Sequence, residues 1–459
     1  MLKFFREKAK WIGISVIGFF VITMFAGSMY MGRMLIKNPF SNSAQDSIGH
    51  IGEIQISGDR YQAFLNQALS RIPQSEWAHL DPEVIEVLQF SALQRALNEA
   101  LFLKGAQEKD LSVSKTEYKR TLESLMPSYG VKNVGELKKL LKQNNYPYSR
   151  FKESIEKDML AQKFVTELQK TVTVTTQNVY AYYTKTLVQH LLIKSQTASP
   201  NAEAFIQNLR KQALSGTPFE TLAQSYSQDS KSQTNKGILP WISIGETTPE
   251  FEKAAENLPI GQLSTPFRTP YGYHILRVLG RRVELPPTFN FNTAKTEATQ
   301  YFQTRAIRVY LNSFSLNAPL ELTPPSLKAY YAKFKGDIET AKGAYQAQIS
   351  SNPASPVPHY LLAKLYRETQ APELAKQELE KAKVKADLNA SADFIALRLL
   401  LAQDAKKAGN SSEFNTQCEK AYTLAQNSKP ALTYLEKQFT EIGNPSLAQK
   451  AKARLGELK

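Results

Sequence analysis

The sequence predicts a multidomain protein that is mainly α-helical, with one α+β domain, a single N-terminal transmembrane helix and an α-helical repeat C-terminus. Three observations support this fold class. An uncharged apolar run lies near the start, β-like segments are concentrated in one internal stretch, and apolar residues elsewhere recur mainly at helical spacing. A chain of 459 residues is long enough for several domains of roughly 100–200 residues each.

The amino terminus predicts a membrane anchor. The run "WIGISVIGFFVITMFAGSMYMG", residues 11–32, has no charge and can cross a hydrocarbon layer of ~30 Å as a helix. Lysines and arginines precede it, which predicts a cytoplasmic segment over 1–10, a single anchor over 11–34 and all later residues on the extracytoplasmic side. A cleaved signal peptide is the alternative, but the run is long for one and no A-x-A site follows it.

Helical patterns dominate the residues that follow. A short alternating strand turns at Gly58 into a helix, and the helical pattern continues to Tyr183. Ser114 and Glu117 have the S-x-x-E spacing of a capping box, which predicts a helix start. The pattern returns over 290–315, and we expect this helix to pack back on the domain that precedes the α+β insertion.

Residues 188–282 predict the compact α+β domain. The β-like runs "VQHLLIK" and "YGYHILRV" enclose two helical segments. Alternation puts His190 on one strand face with Leu192, and His274 on one face with Leu276, so both imidazoles should be buried. A single buried histidine is more often a satisfied core residue than a catalyst, but two at strand positions in one small domain favour a site. The run "RTPYGYHILRV" is expected to form the last strand.

The C-terminal residues 323–459 carry a weak internal repeat. Ala375, Leu379 and Ala382 have the spacing A-x3-L-x2-A. Ala341 and Tyr345 occupy the first two of these positions one period of 34 residues earlier. This period predicts a tetratricopeptide-like array of about four helix pairs, with a plain helical bundle as the alternative.

Composition and charge narrow the class of function. The net charge is +15, but the lysines are scattered, so we expect solvated helix faces and no nucleic-acid binding. The one cysteine, Cys418, excludes an internal disulfide, and its place in the repeat predicts a buried packing position. No ligand cluster at zinc spacing and no phosphate-binding glycine loop occurs, so we expect no metal and no cofactor.

The motifs of residues 188–282 resemble the parvulin-type peptidyl-prolyl cis-trans isomerases. The matching stretches are "HLLIK", "FETLAQSYSQDS", "KGILPW" and "TPEFEKAAENLPIGQLSTPFRTPYGYHILRV". The resemblance implies an isomerase of X-Pro bonds with the catalytic residues His190, Asp229, Thr269 and His274 and the substrate-binding residues Leu239, Thr247 and Phe251. Near Thr247 the family usually has methionine, which implies a smaller and more polar pocket wall.

Residues 50–185 together with 288–318 resemble the helical chaperone domain of the PpiD/SurA group of folding factors. The matching stretches include "GEIQISGDRY", "GAQEKDLSVSKTEY" and "FKESIEKDMLAQKFV". With the anchor, this resemblance implies a periplasmic folding factor on the inner membrane that binds unfolded or nascent exported polypeptides. The repeat region resembles a protein that partners such a factor at the translocon, which implies envelope partners. A catalytically inactive holdase and a repeat-based scaffold remain alternatives.

Overall fold

The computed structural model describes residues 47–73, 76, 80–144, 146–194 and 202–458. The predicted cytoplasmic segment 1–10 and the predicted anchor 11–34 lie outside these residues. Within the described part of the chain, every helix is too short or too polar to cross a membrane.

The elements follow one another in chain order. The first are β1 (Ser47–Ile51), β2 (Ile54–Ser57), α1 (Gly58–Leu69), α2 (Pro82–Glu108), α3 (Lys115–Leu125), α4 (Val134–Gln143), α5 (Tyr148–Lys170) and α6 (Thr176–Tyr182). Next come β3 (Thr184–Lys194), α7 (Ala202–Leu214), α8 (Phe219–Tyr226), β4 (Ile242–Ser243), α9 (Pro249–Glu256), β5 (Phe267–Thr269) and β6 (Gly272–Val283). The last are α10 (Phe291–Asn317), β7 (Leu320–Leu322), α11 (Pro325–Lys335), α12 (Ile338–Ser351), α13 (Val357–Glu368), α14 (Pro372–Leu388), α15 (Ile395–Lys407), α16 (Ser411–Ala425), α17 (Lys429–Glu441) and α18 (Pro445–Glu457).

The described chain forms two compact units. The first comprises residues 101–122 and 149–320, and the second comprises 47–100, 123–148 and 321–458. The helical region predicted as one chaperone domain is therefore divided between them. Helix α2 contributes its residues up to Ala100 to the second unit and its residues from Leu101 to the first.

In the first unit, the helical part is held by buried apolar residues from α2, α5 and α10. Phe102, Phe164 and Ile307 form one cluster, and the rings of Phe164 and Tyr310 lie 4.7 Å apart. The predicted packing of the helix after the α+β insertion against the helices before it is thus confirmed. The predicted capping box at the start of α3 is also found, because Ser114 N–H donates to Glu117 Oε2 at 2.8 Å and Glu117 N–H donates to Ser114 Oγ at 3.2 Å.

The first unit also contains the predicted α+β fold. Its antiparallel sheet has the strand order β4-β3-β6-β5. Helices α7 and α8 cover one face, where Leu191 and Ile275 are buried. Helix α9 covers the other face, where Val188 and Leu276 pack with Phe251. Alternate residues of one strand therefore contact different helices, as the sequence pattern predicts.

One detail of the sheet differs from the sequence-based expectation. The run "RTPYGYHILRV" is not one strand, because β5 ends at Thr269 and β6 begins at Gly272. Pro270 has no N–H for a ladder bond, and Tyr271 N–H donates to Thr269 Oγ1 at 3.1 Å. Gly272 has a φ of 141°, which a residue with a side chain rarely adopts. The chain therefore turns here, and Thr269 lies on the strand beside His274 instead of preceding it on the same strand.

In the second unit, a small sheet with the order β2-β1-β7 accompanies a long helical region. The helices α11 to α18 pack as four consecutive pairs. The predicted repeat positions Ala341, Tyr345, Leu379 and Ala382 are buried between them, and so is Cys418, as expected. These pairs agree with a helical repeat, and the assignment as tetratricopeptide-like stays a prediction.

Replacing Gly105 by alanine is expected to destabilise the first unit. A Cβ at this position of α2 would lie 2.2 Å from Cζ of Phe164, so the core must move, with an expected loss of about 1–3 kcal/mol. The matched control is Gly343→Ala in α12, where nothing lies within 4 Å and the higher helix propensity of alanine should stabilise by about 0.5–1 kcal/mol. Urea unfolding followed by circular dichroism measures both. A stabilised Gly105→Ala protein would contradict the described packing.

Candidate active site

Two histidine rings lie side by side on the sheet face that α9 covers. His190 comes from β3 and His274 from β6, and the strand register sets His190 opposite Leu276 and Leu192 opposite His274. The ring centroids are 5.9 Å apart, with 17° between the planes. The two residues are only 4% and 5% exposed. The buried positions predicted for both imidazoles are therefore found, and the two rings are neighbours.

His190 is fixed by a carboxylate and a hydroxyl. Its Nε2 lies 2.9 Å from Asp229 Oδ2 and 2.9 Å from Ser232 Oγ, and Ser232 Oγ donates to the same carboxylate oxygen at 2.6 Å. The bond from His190 is the main cause that lowers the pKa of Asp229 well below its usual range; burial opposes this shift, and the Ser232 hydroxyl adds to it. Because an ionised carboxylate only accepts hydrogen bonds, Nε2 of His190 carries a proton and donates it.

His274 is fixed by a neutral partner. Its Nε2 lies 2.8 Å from Thr269 Oγ1 across the β5–β6 hairpin. Burial is the main cause that lowers the pKa of His274 to about 3; the neighbouring His190 adds to this shift, and the charge of Asp229 opposes it. His274 is therefore neutral at ordinary pH, so one of its ring nitrogens carries a proton and the other can accept a hydrogen bond.

The second nitrogen of each ring is available for a further bond. Nδ1 of His190 and Nδ1 of His274 are both buried and have no hydrogen-bond partner among the described residues. A buried polar atom without a hydrogen-bond partner lowers the stability by about 1–3 kcal/mol. A ligand that hydrogen-bonds to either Nδ1 atom would therefore be bound favourably. The described residues include no group of three or more His, Cys, Asp and Glu side chains that could hold a metal ion.

Aromatic and aliphatic side chains line the other side of the histidine pair. Phe251 of α9 lies edge-on to both imidazoles, with centroid distances of 5.6 Å to His190 and 5.7 Å to His274. Phe267 stacks on His274 at 5.4 Å with 14° between the planes. Leu239 packs in the same apolar cluster as both phenylalanines. The polar pair thus borders an apolar cluster.

The structure brings together six of the seven residues chosen from the sequence. His190, Asp229, Thr269 and His274 form the polar part described above, and Leu239 and Phe251 form the apolar part. Thr247 lies in the turn before α9, and its buried hydroxyl has no hydrogen-bond partner within the described chain. No hydrogen bond therefore joins it to the four polar residues.

Sequence reasoning missed Ser232 and Phe267. Ser232 is fully buried, and its hydroxyl lies within hydrogen-bond distance of His190 and donates to Asp229. The sequence feature that could have indicated it is its position three residues after Asp229, because a turn of this length brings the two side chains together. Phe267 lies opposite His274 in the sheet register and two residues before Thr269, so alternation along β5 would have placed it on the same face.

Helix α10 fixes the helix that carries Phe251. The buried carboxylate of Glu252 accepts from Gly245 N–H at 2.7 Å and from the hydroxyl of Tyr301 on α10. Asn312 Nδ2 donates to Glu250 Oε1 at 3.1 Å, and Arg305 Nη2 contacts Glu256 Oε2 at 3.1 Å. The acidic residues of α9 are thus held by α10, while Phe251 between them points to the histidine pair.

Family comparisons agree with this geometry. Residues 190–280 match the family model described as the PPIC-type PPIASE domain, and residues 1–165 match the one described as the SurA-like N-terminal domain. The chain therefore carries a parvulin-type peptidyl-prolyl cis-trans isomerase domain, and the corresponding sequence-based prediction is confirmed.

Individual relatives match over part of their length. The Chaperone SurA of Burkholderia pseudomallei (strain 1710b) is 47% identical over 100 residues, which are 21% of this chain and 22% of the relative. The Chaperone SurA of Nitrosococcus oceani is 38% identical over 120 residues, which are 26% of this chain and 28% of the relative. The chain thus spans less than a third of the length of either one. The crystal structure of the peptidylprolyl isomerase PrsA from Bacillus anthracis, 24% identical, covers 48% of this chain and 96% of its own with a TM-score of 0.24, too low to support a common overall fold.

Lowering the pH from 7 to 5 is expected to destabilise the protein through His274. Its pKa is about 3 when folded and 6.5 when free, so between these values the unfolded chain binds a proton that the folded chain does not. The contribution of His274 to the free energy of unfolding is therefore largest above pH 6.5. It falls as the pH decreases, by about 2 kcal/mol between pH 7 and 5. The lowered pKa of Asp229 acts only below its ordinary value of 3.8.

The measurement is urea unfolding at pH 7 and pH 5 for the wild type and for His274→Gln. The variant should lose about 2 kcal/mol less than the wild type over this interval. Equal losses in the two proteins would show that His274 does not titrate as its burial requires.

Proposed function

We propose that the α+β fold catalyses cis-trans isomerisation of X-Pro peptide bonds at the histidine pair. The observation that carries this proposal is the contact of two buried imidazoles, each fixed through Nε2, with the edge of Phe251. The match of residues 190–280 to the PPIC-type PPIASE domain supports the same reaction.

The reaction requires only a modest stabilisation of the transition state by such a site. No bond is broken, and the barrier to rotation of a peptide bond is ~18–20 kcal/mol. A thousandfold acceleration needs only ~4 kcal/mol of preferential binding of the transition state. In that state the amide is twisted and has lost its resonance, so a site that binds the twisted form better than the planar one accelerates the reaction.

The two sides of the site have different roles in this mechanism. Phe251 and Leu239 hold the proline ring and exclude water from the amide. The free Nδ1 atoms of the histidine pair supply polar groups beside the carbonyl, whose dipole changes during rotation. Asp229, Ser232 and Thr269 are positioning residues, because they act by orienting the imidazoles. Thr247, in the turn before α9, is proposed to line the pocket wall.

Replacing Asp229 by asparagine should lower the rate of isomerisation. The asparagine keeps the shape but removes the charge that orients His190, and a charge-assisted hydrogen bond is worth ~1.5–3 kcal/mol, so kcat/KM should fall by roughly tenfold or more. The matched control is Asp110→Asn at an exposed turn outside the site, which should leave the rate unchanged.

A protease-coupled assay on a proline-containing peptide measures both variants. The proposal is contradicted if the wild type shows no rate above the uncatalysed one, which would favour an inactive holdase, or if the two variants behave alike.

We further propose that the helical part binds unfolded exported polypeptides in the periplasm. We also propose that residues 11–34 anchor the chain in the inner membrane, with residues 1–10 in the cytoplasm. The match of residues 1–165 to the SurA-like N-terminal domain supports the chaperone role, and the apolar run supports the anchor. Retention of the chain in membranes after extraction with alkaline carbonate is expected from the anchor, whereas release would contradict it.

Chaperone binding should be independent of the isomerase site. The wild type and Asp229→Asn should suppress aggregation of a proline-free unfolded protein equally well, because the altered residue lies inside the α+β fold. Light scattering during dilution of the client from denaturant measures this. Loss of protection in the variant would mean that the histidine site itself binds the client.

A further inference from the structure

In the second unit, the start of helix α2 lies against the helices of the C-terminal repeat. We call residues 80–90 the acidic segment. The ring of Phe90 lies 5.1 Å from that of Tyr330 and 4.9 Å from that of Phe334, both on α11. Val84 and Val87 of the same segment are about two-fifths exposed, at 40% and 41%, so one side of the helix contacts the repeat and the other faces solvent.

Each carboxylate of the acidic segment has its own partner on the repeat. The Tyr345 hydroxyl donates to Glu86 Oε1 at 2.8 Å, and the Tyr360 hydroxyl reaches Asp81 Oδ1 at 3.5 Å. Glu83 lies between two lysines, with Lys364 Nζ at 3.0 Å and Lys333 Nζ at 3.6 Å.

The receiving side chains come from different helices, α11, α12 and α13. They provide ammonium and phenol donors at a spacing that fits Asp81, Glu83 and Glu86, whose carboxylates lie two and three residues apart at the start of α2. Just before the segment, Glu76 also accepts from the hydroxyl of Ser428, which caps α17 in the last pair. The contacts are made by side chains on both partners, so another peptide with the same pattern could replace this one.

We propose that this face of the repeat is a binding site for acidic helical segments with an aromatic residue, and that the chain fills it with its own acidic segment. The repeat then holds the chaperone helix in place and is closed to envelope partners while the segment is bound. A partner of the same chemistry has to displace the segment. This inference is independent of the isomerase reaction, since no residue of the histidine site takes part.

The test uses the full chain and a fluorescent peptide with the sequence of residues 80–92. The double variant Glu83→Ala/Phe90→Ala, which we call the opened variant, weakens the internal contact while the lysines and tyrosines of the repeat stay in place. It should bind the peptide at least tenfold more tightly than the wild type, measured by fluorescence anisotropy. The matched control Val87→Ala changes an exposed residue of the same helix and should bind as weakly as the wild type.

Adding Lys333→Ala and Lys364→Ala to the opened variant should abolish the gain. The substitutions Lys333→Ala and Lys364→Ala, made in the wild-type chain, should also speed the amide hydrogen exchange of residues 82–90 and leave that of strands β3 and β6 unchanged. This measurement tests the proposal even if the opened variant folds poorly. Any of three results would overturn the proposal. The wild type and the opened variant could bind the peptide equally well, a folded opened variant could fail to bind it, or the lysine substitutions could leave hydrogen exchange unchanged.

Discussion

The antiparallel register of β3 and β6 is the constraint on which the site depends. It sets His190 opposite Leu276 and Leu192 opposite His274, so the two imidazoles become diagonal neighbours on one sheet face. A shift of one residue would turn one histidine to the face covered by α7 and α8. The register is held by burial on both faces, because Leu191 and Ile275 fill one side while Val188 and Val278 fill the other. The core of the fold therefore sets the distance between the two rings.

Burial of two histidines so close together is tolerable because their partners differ. His190 donates to an ionised carboxylate, whereas His274 meets only a threonine hydroxyl and stays neutral. Two protonated rings at this distance would repel each other in a medium of low dielectric constant. The unequal partners avoid this repulsion, and they give the site one charged side and one neutral side.

Much of this arrangement was predictable from local patterns. Alternation along the strands gave the shared faces of His190 and His274, and the S-x-x-E spacing gave the start of α3. The turn at Pro270 leaves no periodic signal and was not predicted. Ser232 and Phe267 were missed as well, because a single three-residue spacing and a strand of three residues are weak signals beside the longer patterns. The division of the predicted chaperone domain escaped prediction as well. That division depends on contacts such as Glu86 with Tyr345, which are far apart in sequence and follow from no local rule.

The attachment of α9 to α10 has a consequence for how such a fold can be inherited. Glu250, Glu252 and Glu256 have partners on a helix that follows the last strand of the sheet and belongs to the helical part of the first unit. A chain cut after β6 would leave these carboxylates without Tyr301, Arg305 and Asn312, next to the helix that positions Phe251. The α+β fold of this protein therefore depends on α10 for the partners of three carboxylates on α9. Recombination that moves it between proteins has to carry α10 along, or replace the acidic face of α9 at the same time.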